Sequence, residues 1–134
     1  MKEEEVKLKV LLVDDDPDFL YQTRFALEQA GFLVDTCESR SEAEEYLQES
    51  RPDMAVIDLM MEEDDSGFIL AYRIRQQYPG LPVIILTAVT QETGRRFSQH
   101  SHAPDEWIKA DLIIAKGLHP EQLIHQINQL IRSR

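Results

Sequence analysis

Cysteine, long apolar runs and positive charge are all scarce in this sequence. Cys37 is the single cysteine among 134 residues, so the chain cannot form an internal disulfide. No apolar run approaches the roughly 18 to 20 residues that a transmembrane helix needs. The opening segment MKEEEVK lacks the basic and then apolar order of a signal peptide. These absences argue against a secreted protein stabilised by disulfide bonds and against a membrane protein. They predict a cytoplasmic location.

The shortage of positive charge bears on possible partners. The chain has 14 lysine and arginine residues against 25 aspartate and glutamate residues, which gives a formal net charge of -11. A domain of this sign repels nucleic acid and anionic lipid surfaces. We therefore predict no direct binding to nucleic acid or to a membrane, and we expect cations or basic protein patches as partners.

Length and composition indicate one globular domain. Hydrophobic residues make up 43% of the chain and charged residues 29%, which is typical of soluble globular proteins. We predict a charged N-terminal tail over residues 1–6 and a single domain over 7–134. Because the last predicted helix ends close to residue 134, we expect either a protein that acts alone through protein contacts or a part of a longer one.

Short apolar runs alternate with amphipathic stretches along the chain, and this alternation predicts parallel strands joined by helices. The predicted strands cover residues 8–13, 33–37, 54–57, 83–86 and 112–115. Such alternation favours a three-layer α/β sandwich, in which helices cover both faces of a doubly wound, five-stranded parallel sheet. In folds of this kind the reactive crevice lies beyond the carboxyl ends of the strands.

Five helices are predicted between and after these strands. Asp16 caps the first, with Pro17 in its first turn. Ser41, with a glutamate three residues later, predicts a capping box for the second. The third covers about 67–78, a weak pattern predicts the fourth over 91–99, and the fifth begins near Pro120.

Polar side chains stand at the carboxyl ends of four predicted strands. Asp14 and Asp15 follow the first strand, Asp58 the third, Thr87 the fourth and Lys116 the fifth. Three carboxylates that converge repel one another and need positive charge nearby to stay ionised. Mg²⁺ prefers oxygen ligands of this kind. Taken alone, each residue is ordinary in a loop or on a surface, so the prediction depends on their conjunction in this order.

The segments VLLVDDDP, AVIDLMM, VIILTA and IIAK together resemble the receiver domains of two-component response regulators, including the chemotaxis-regulator-like family. The resemblance extends from about residue 7 to 132. It implies a flavodoxin-like sheet with strand order 2-1-3-4-5. It also implies that Asp14 and Asp15 hold Mg²⁺, and that Asp58 and the backbone carbonyl of Met60 complete the protein ligands.

The same resemblance implies a phosphorelay role. Asp58 would be the phosphoacceptor, Thr87 would hydrogen-bond the phosphoryl group, and Lys116 would pair with one of its oxygens. The phosphodonor would be a sensor histidine kinase or a phosphotransfer protein, and the signal would pass to a downstream protein target. The chain itself would be a monomer or a weak homodimer, and a phosphoacceptor signalling domain rather than an enzyme.

Some positions depart from the usual receiver pattern. Glu62 occupies the place of a common proline, and the loop reaches Gly67 one residue later than usual. Lys116 is followed by Gly117 rather than by proline, so we expect a trans bond there. Ile113 stands where an aromatic switch residue is common. The stretch from 87 to 116 is also longer than usual.

These departures leave an alternative open. A pseudo-receiver would keep the fold and bind a partner without phosphorylation. An Mg²⁺-dependent hydrolase with an aspartyl-phosphate intermediate is less favoured, because such enzymes carry a second aspartate where this chain has Met60. Nucleotide binding is disfavoured, since neither glycine-rich phosphate-binding motif is present.

Overall fold

The computed structural model describes residues 7–59, 66–87, 112–117 and 119–132. In these ranges the chain forms five strands and four helices, numbered here in chain order. They are β1 (Lys9–Val13), α1 (Pro17–Gln29), β2 (Leu33–Cys37), α2 (Arg40–Glu49), β3 (Met54–Asp58), α3 (Ser66–Gln77), β4 (Val83–Thr87), β5 (Leu112–Ala115) and α4 (Pro120–Arg132).

All strand pairs are parallel, and the sheet order is β2-β1-β3-β4-β5. The order expected from the receiver resemblance is therefore confirmed. Val13 lies opposite Ile57 in the register between β1 and β3, and Thr87 lies opposite Ala115 between β4 and β5. The carboxyl ends of β1, β3, β4 and β5 consequently meet at one edge of the sheet.

Side chains of the central strands alternate between two hydrophobic cores, one on each face of the sheet. The core beneath α1 and α4 includes Val10, Leu12, Leu20, Leu27, Val56, Ile84, Leu123 and Ile127. The core beneath α2 and α3 includes Leu11, Val13, Ala43, Leu47, Ile57, Leu70, Ile74 and Ile85. The molecule is thus the predicted three-layer sandwich, with two described helices on each face.

Helix α1 begins and ends where the sequence predicts. The Asp16 side chain accepts hydrogen bonds from the backbone N–H groups of Asp18 at 3.1 Å and Phe19 at 3.4 Å. These bonds satisfy donors that the first helical turn leaves unpaired. Gly31, with φ of 101°, follows the helix in a left-handed conformation that glycine adopts at little cost.

The predicted cap of α2 was wrong by two residues. Ser39, not Ser41, is the N-cap, and its hydroxyl accepts a hydrogen bond from Glu42 N at 3.0 Å. Both serines are followed by a glutamate three residues later, so the capping pattern occurs twice. The earlier start shortens the connection after β2 and leaves Ala43 and Leu47 facing the core.

The remaining helices follow the sequence pattern closely. Helix α3 begins at Ser66, one residue before the predicted start, and α4 begins at Pro120. The helix predicted over 91–99 lies outside the described residues. Within the ranges that the structure describes, no helix is long and apolar enough to span a membrane.

Cys37 ends β2 and is buried. Burial, with smaller contributions from Glu42 and Asp35, raises the pKa of its thiol to about 12. The thiol therefore stays protonated at neutral pH and is unreactive, as is usual for a buried structural cysteine.

Candidate functional site

Three aspartates meet at the carboxyl edge of the sheet. Carboxylate oxygens of Asp14, Asp15 and Asp58 all lie within 4.8 Å of one another. Asp14 and Asp58 are buried, whereas Asp15 is exposed. The structure thus brings together the three carboxylates that the sequence places at the ends of the first and third strands.

Backbone hydrogen bonds hold two of these aspartates at the strand ends. Asp14 N donates to the carbonyl oxygen of Cys37 at 3.1 Å, which continues the β1–β2 ladder by one residue. Asp58 is the last residue of β3, and Leu59 N donates to Leu86 O at 2.8 Å just beyond it. Because β1 and β3 are both flanked by other strands, these hydrogen bonds hold Asp14 and Asp58 at the carboxyl edge of the sheet.

Lys116 supplies the positive charge of the site. Its Nζ lies 2.9 Å from Asp14 Oδ2 and 3.1 Å from Asp14 Oδ1, but 3.9 Å from Asp58 Oδ1. The backbone N–H of Lys116 donates to the carbonyl oxygen of Thr87 at 2.8 Å. Thr87, which is buried at the end of β4, therefore lies beside the start of the lysine turn.

The carboxylate of Asp58 is held in an unfavourable electrostatic setting. Burial and then the nearby charge of Asp14 raise the pKa of Asp58 to about 7, against an opposing contribution from Lys116. A carboxyl group with this pKa is only partly ionised near neutral pH. An additional cation at the site would favour its ionised form.

Asp14 and Lys116 shift each other's ionisation. Burial raises the pKa of Asp14, although its hydrogen bonds from Lys116 and from the backbone N–H of Asp16 act in the opposite direction. Burial alone would lower the pKa of Lys116, but the hydrogen bond and charge of Asp14 outweigh it, so the pKa is raised. Lys116 thus remains a fixed cation across the neutral range.

The donor set fits a hard divalent cation. Asp14 Oδ2 is buried and, among the described residues, accepts no hydrogen bond; its close contact with the Lys116 ammonium is ionic, and the hydrogen bond goes to Oδ1. Carboxylate oxygens of Asp14, Asp15 and Asp58 match the ligands that Mg²⁺ prefers. Met60, whose carbonyl is a predicted ligand, lies outside the described residues, and Asp16 is engaged in capping α1.

A close approach of backbone segments fixes the chain after Asp58. Gly67 N donates to Leu59 O at 2.8 Å. A Cβ atom on Gly67 would lie 2.6 Å from Leu59 Cα and 2.7 Å from Asp58 O, which is closer than real Cβ contacts come. Glycine is therefore needed where α3 begins against the end of β3.

One member of the site is not evident from the sequence. The ring of Phe19 lies beneath the Lys116 ammonium, with 4.9 Å between Nζ and the ring centroid. In the sequence Phe19 is one of several apolar residues of the first helix, and no motif distinguishes it. Only the position of α1 beside the turn that follows β5 reveals the contact.

Two departures from the usual receiver pattern fall in the described region. Ile113 is half-buried in β5 and packs against the core beneath α2 and α3. None of the described peptide bonds is cis, so the bond between Lys116 and Gly117 is trans, as expected. Glu62 lies outside the described residues.

Comparison with known proteins gives consistent matches. The family model of the response regulator receiver domain matches residues 10–128. The transcriptional regulatory protein PhoP of Escherichia coli (strain K12) is 30% identical over 125 residues, which cover 93% of this chain and 52% of PhoP. The chain spans about half the length of the PhoP proteins that it matches.

Two further similarities extend over most of both chains. An uncharacterized 14.6 kDa protein from the sodA1 3′ region of Leptolyngbya boryana is 34% identical over 125 residues, covering 92% of this chain and 89% of that protein. The crystal structure of the response regulator protein TrrA from Thermotoga maritima, in complex with Mg²⁺-BeF, has a TM-score of 0.75 and 25% identity. That similarity covers 93% of this chain and 99% of TrrA.

Proposed function

The chain belongs to the response regulator receiver domain family, and from this we propose that it accepts a phosphoryl group on Asp58 in the presence of Mg²⁺. The observation that carries the proposal is the setting of Asp58. It is buried at the end of a central strand, it lies within 4.8 Å of two other carboxylates, and its Oδ1 is 3.9 Å from the Lys116 ammonium.

In this proposal the chain's own residues hold and neutralise the transferred group. An Asp58 carboxylate oxygen forms the new bond to phosphorus, and the bond from phosphorus to the donor's histidine nitrogen breaks. Asp14 and Asp15 would hold Mg²⁺ with Asp58 and the Met60 carbonyl; the ion, when bound, would supply positive charge against the phosphoryl oxygens. Lys116 would pair with a phosphoryl oxygen, and the Thr87 hydroxyl would hydrogen-bond another.

Charge balance supports this assignment. Three carboxylates oppose one lysine in the metal-free site, and this excess of negative charge would repel a phosphodonor. One divalent cation brings the sum of the five groups to about zero. TrrA, which is similar to this chain over nearly its whole length, has been crystallised with Mg²⁺-BeF.

We further propose that the domain over 7–134 receives its phosphoryl group from a sensor histidine kinase or a phosphotransfer protein, and passes the signal to a downstream protein. Contacts with that protein, rather than with nucleic acid or a membrane, suit the formal net charge of -11. These proposals place the domain in the cytoplasm, where it would act as a signalling domain and not as an enzyme with a separate substrate.

The direct test is phosphorylation by a small donor. Purified protein incubated with acetyl phosphate and Mg²⁺ should gain the mass of one phosphoryl group, located on Asp58 by peptide mapping, and chelation of Mg²⁺ should abolish the gain. Asp58→Asn should keep the fold and lose the adduct. Asp53→Asn, at the residue just before the same strand begins, is the matched control and should be modified like the wild type.

The same experiment separates the proposal from the pseudo-receiver alternative. Absence of the adduct in the folded wild-type protein, with no Mg²⁺-dependent binding of beryllofluoride, would establish the pseudo-receiver. Modification that persists in Asp58→Asn would instead assign the acceptor to another residue.

A further inference from the structure

Phe19 lies where helix α1 meets the phosphoryl-transfer site. It is the third residue of α1 and is half-buried. Its backbone N–H donates a hydrogen bond to Oδ1 of Asp16, the N-cap residue, at 3.4 Å. Its ring centroid is 4.9 Å from Lys116 Nζ. The start of α1 therefore carries both a cap and an aromatic surface beneath the site's lysine.

The Lys116 ammonium is contacted by Asp14 and by the Phe19 ring, but it is not enclosed. Its side chain keeps 22% of its surface exposed. A cavity of about 220 Å³ opens beside it between α1 and α4, and its wall includes Phe19, Gln22, Leu86, Lys116, Pro120 and Leu123. A lysine has four flexible side-chain bonds, so this space would let the ammonium move away from the carboxylates.

We propose that Phe19 is a positioning residue for phosphoryl transfer, whose ring face holds the Lys116 ammonium within reach of the group on Asp58. The inference rests on the proposed function of Asp58 and Lys116. The negative face of an aromatic ring attracts a cation, most strongly where water is excluded. The ammonium lies 3.9 Å from Asp58 Oδ1 in this arrangement, so only a small movement brings it to a phosphoryl oxygen.

Positioning of this kind favours the reaction because the cation is already oriented when charge develops on the phosphoryl group. Asp14 alone cannot position the ammonium in this way. Once the Asp14 carboxylate releases the Lys116 ammonium, the ammonium is free to turn into the cavity. The ring contact does not compete with the phosphoryl oxygen for the ammonium's hydrogen-bond donors. Phe19 can therefore stay in place while Lys116 exchanges partners.

An ordinary apolar role must be separated from this one, because Phe19 also packs against the core beneath α1 and α4. Phenylalanines with one, two or three ring fluorines keep the ring's shape but weaken its negative face in steps. We would insert them at position 19 by site-specific incorporation and measure the rate of Asp58 adduct formation with acetyl phosphate and Mg²⁺. The rate should fall stepwise, by about threefold to tenfold across the series.

A matched series at Phe25 provides the control. Phe25 lies on the same helix but is exposed, so fluorination there should leave the rate unchanged. Phe19→Tyr should retain the wild-type rate, whereas Phe19→Leu should lose as much as the trifluorinated ring. In a Lys116→Met background the residual rate should not depend on fluorination, because the ring acts through the lysine.

A second readout needs neither metal nor phosphodonor. The ε-methylene protons of Lys116 should show a ring-current shift in the NMR spectrum of the metal-free protein, and Phe19→Leu should remove it. If this shift is absent, or if the rate is flat across the position 19 series while Asp58 is still phosphorylated, the inference is overturned and the proposed function stands. If the wild type takes no adduct at all, both are overturned.

Discussion

Lys116 donates a hydrogen bond to Asp14, whereas its ion pair with Asp58 is longer and lacks a hydrogen bond. The ammonium is 2.9 Å from the nearer oxygen of Asp14 and 3.9 Å from the nearer oxygen of Asp58. Among the described residues, the buried carboxylate of Asp58 therefore has no cation within hydrogen-bonding distance. Burial and then the charge of Asp14 raise the pKa of Asp58 to about 7, and the more distant Lys116 offsets them only in part.

Removal of the lysine should destabilise the metal-free protein. Lys116→Met leaves the buried carboxylate of Asp14 unpaired beside Asp58, and we expect a loss of about 2 to 4 kcal/mol in the free energy of unfolding at neutral pH. Urea unfolding in the presence of a chelator measures it. Lys9→Met breaks a half-exposed pair with Asp35 and should cost less than about 1 kcal/mol. Equal losses in the two variants would contradict the role assigned to the Asp14 pair.

Stability should depend on pH through Asp58. Its pKa is about 7 in the folded protein against an ordinary value of 3.8, so the folded state binds the proton more tightly than the unfolded state. The metal-free protein should therefore lose stability as pH rises from about 4 to about 7, and the loss should level off above that range.

Asp58→Asn isolates this contribution. The variant should match the wild type near pH 4 and exceed its stability above about pH 7, by on the order of 4 kcal/mol, since one pKa unit corresponds to about 1.4 kcal/mol. Urea unfolding of both proteins across the pH range, with a chelator present, provides the measurement. A constant difference between the two proteins would show that Asp58 titrates normally.

Gly67→Ala should disturb the end of β3, where Asp58 lies. The new Cβ would meet Leu59 Cα at 2.6 Å and Asp58 O at 2.7 Å, and backbone atoms there cannot move independently of the sheet. We expect destabilisation of about 1 to 3 kcal/mol and slower adduct formation on Asp58. Gly80→Ala, where a Cβ would meet nothing within 4 Å, should have little effect on either quantity. If Gly67→Ala left both the stability and the rate unchanged, the close approach of Gly67 to the end of β3 would not matter for either property.

Thr87 should couple the site to the rest of the domain. Its hydroxyl is proposed to bind the phosphoryl group, so Thr87→Ala should still form the beryllofluoride complex but lose the accompanying changes in amide exchange away from Asp58. Thr87→Ser, which keeps the hydroxyl, should resemble the wild type. Identical exchange changes in the alanine variant and the wild type would assign the coupling to other residues.

The sequence predicted the sheet and the meeting of the acidic residues well, because both follow from chain-wide alternation. Apolar runs specify buried parallel strands, and parallel strands must end at a common edge. The start of α2 was predicted wrongly, because Ser39 and Ser41 carry the same capping pattern and the sequence alone does not distinguish them.

Pairwise contacts inside the site could not be predicted in this way. The pattern places Asp14, Asp58 and Lys116 together, but the choice of Asp14 as the lysine's partner depends on differences of about an ångström. The contact of Phe19 with Lys116 depends on how α1 packs against the sheet. The close approach of Gly67 likewise depends on where α3 begins.

The bond between Lys116 and Asp14 joins residues 102 positions apart in the chain. Strands β3 and β4 lie between β1 and β5 in the sheet, so the bond can form only after β3 and β4 have been synthesised and have joined the sheet. A nascent chain that has emerged only through β4 already carries all three carboxylates but has no lysine to oppose them. The balance of charge at this edge of the sheet would thus be completed only when β5 and the turn after it join the fold.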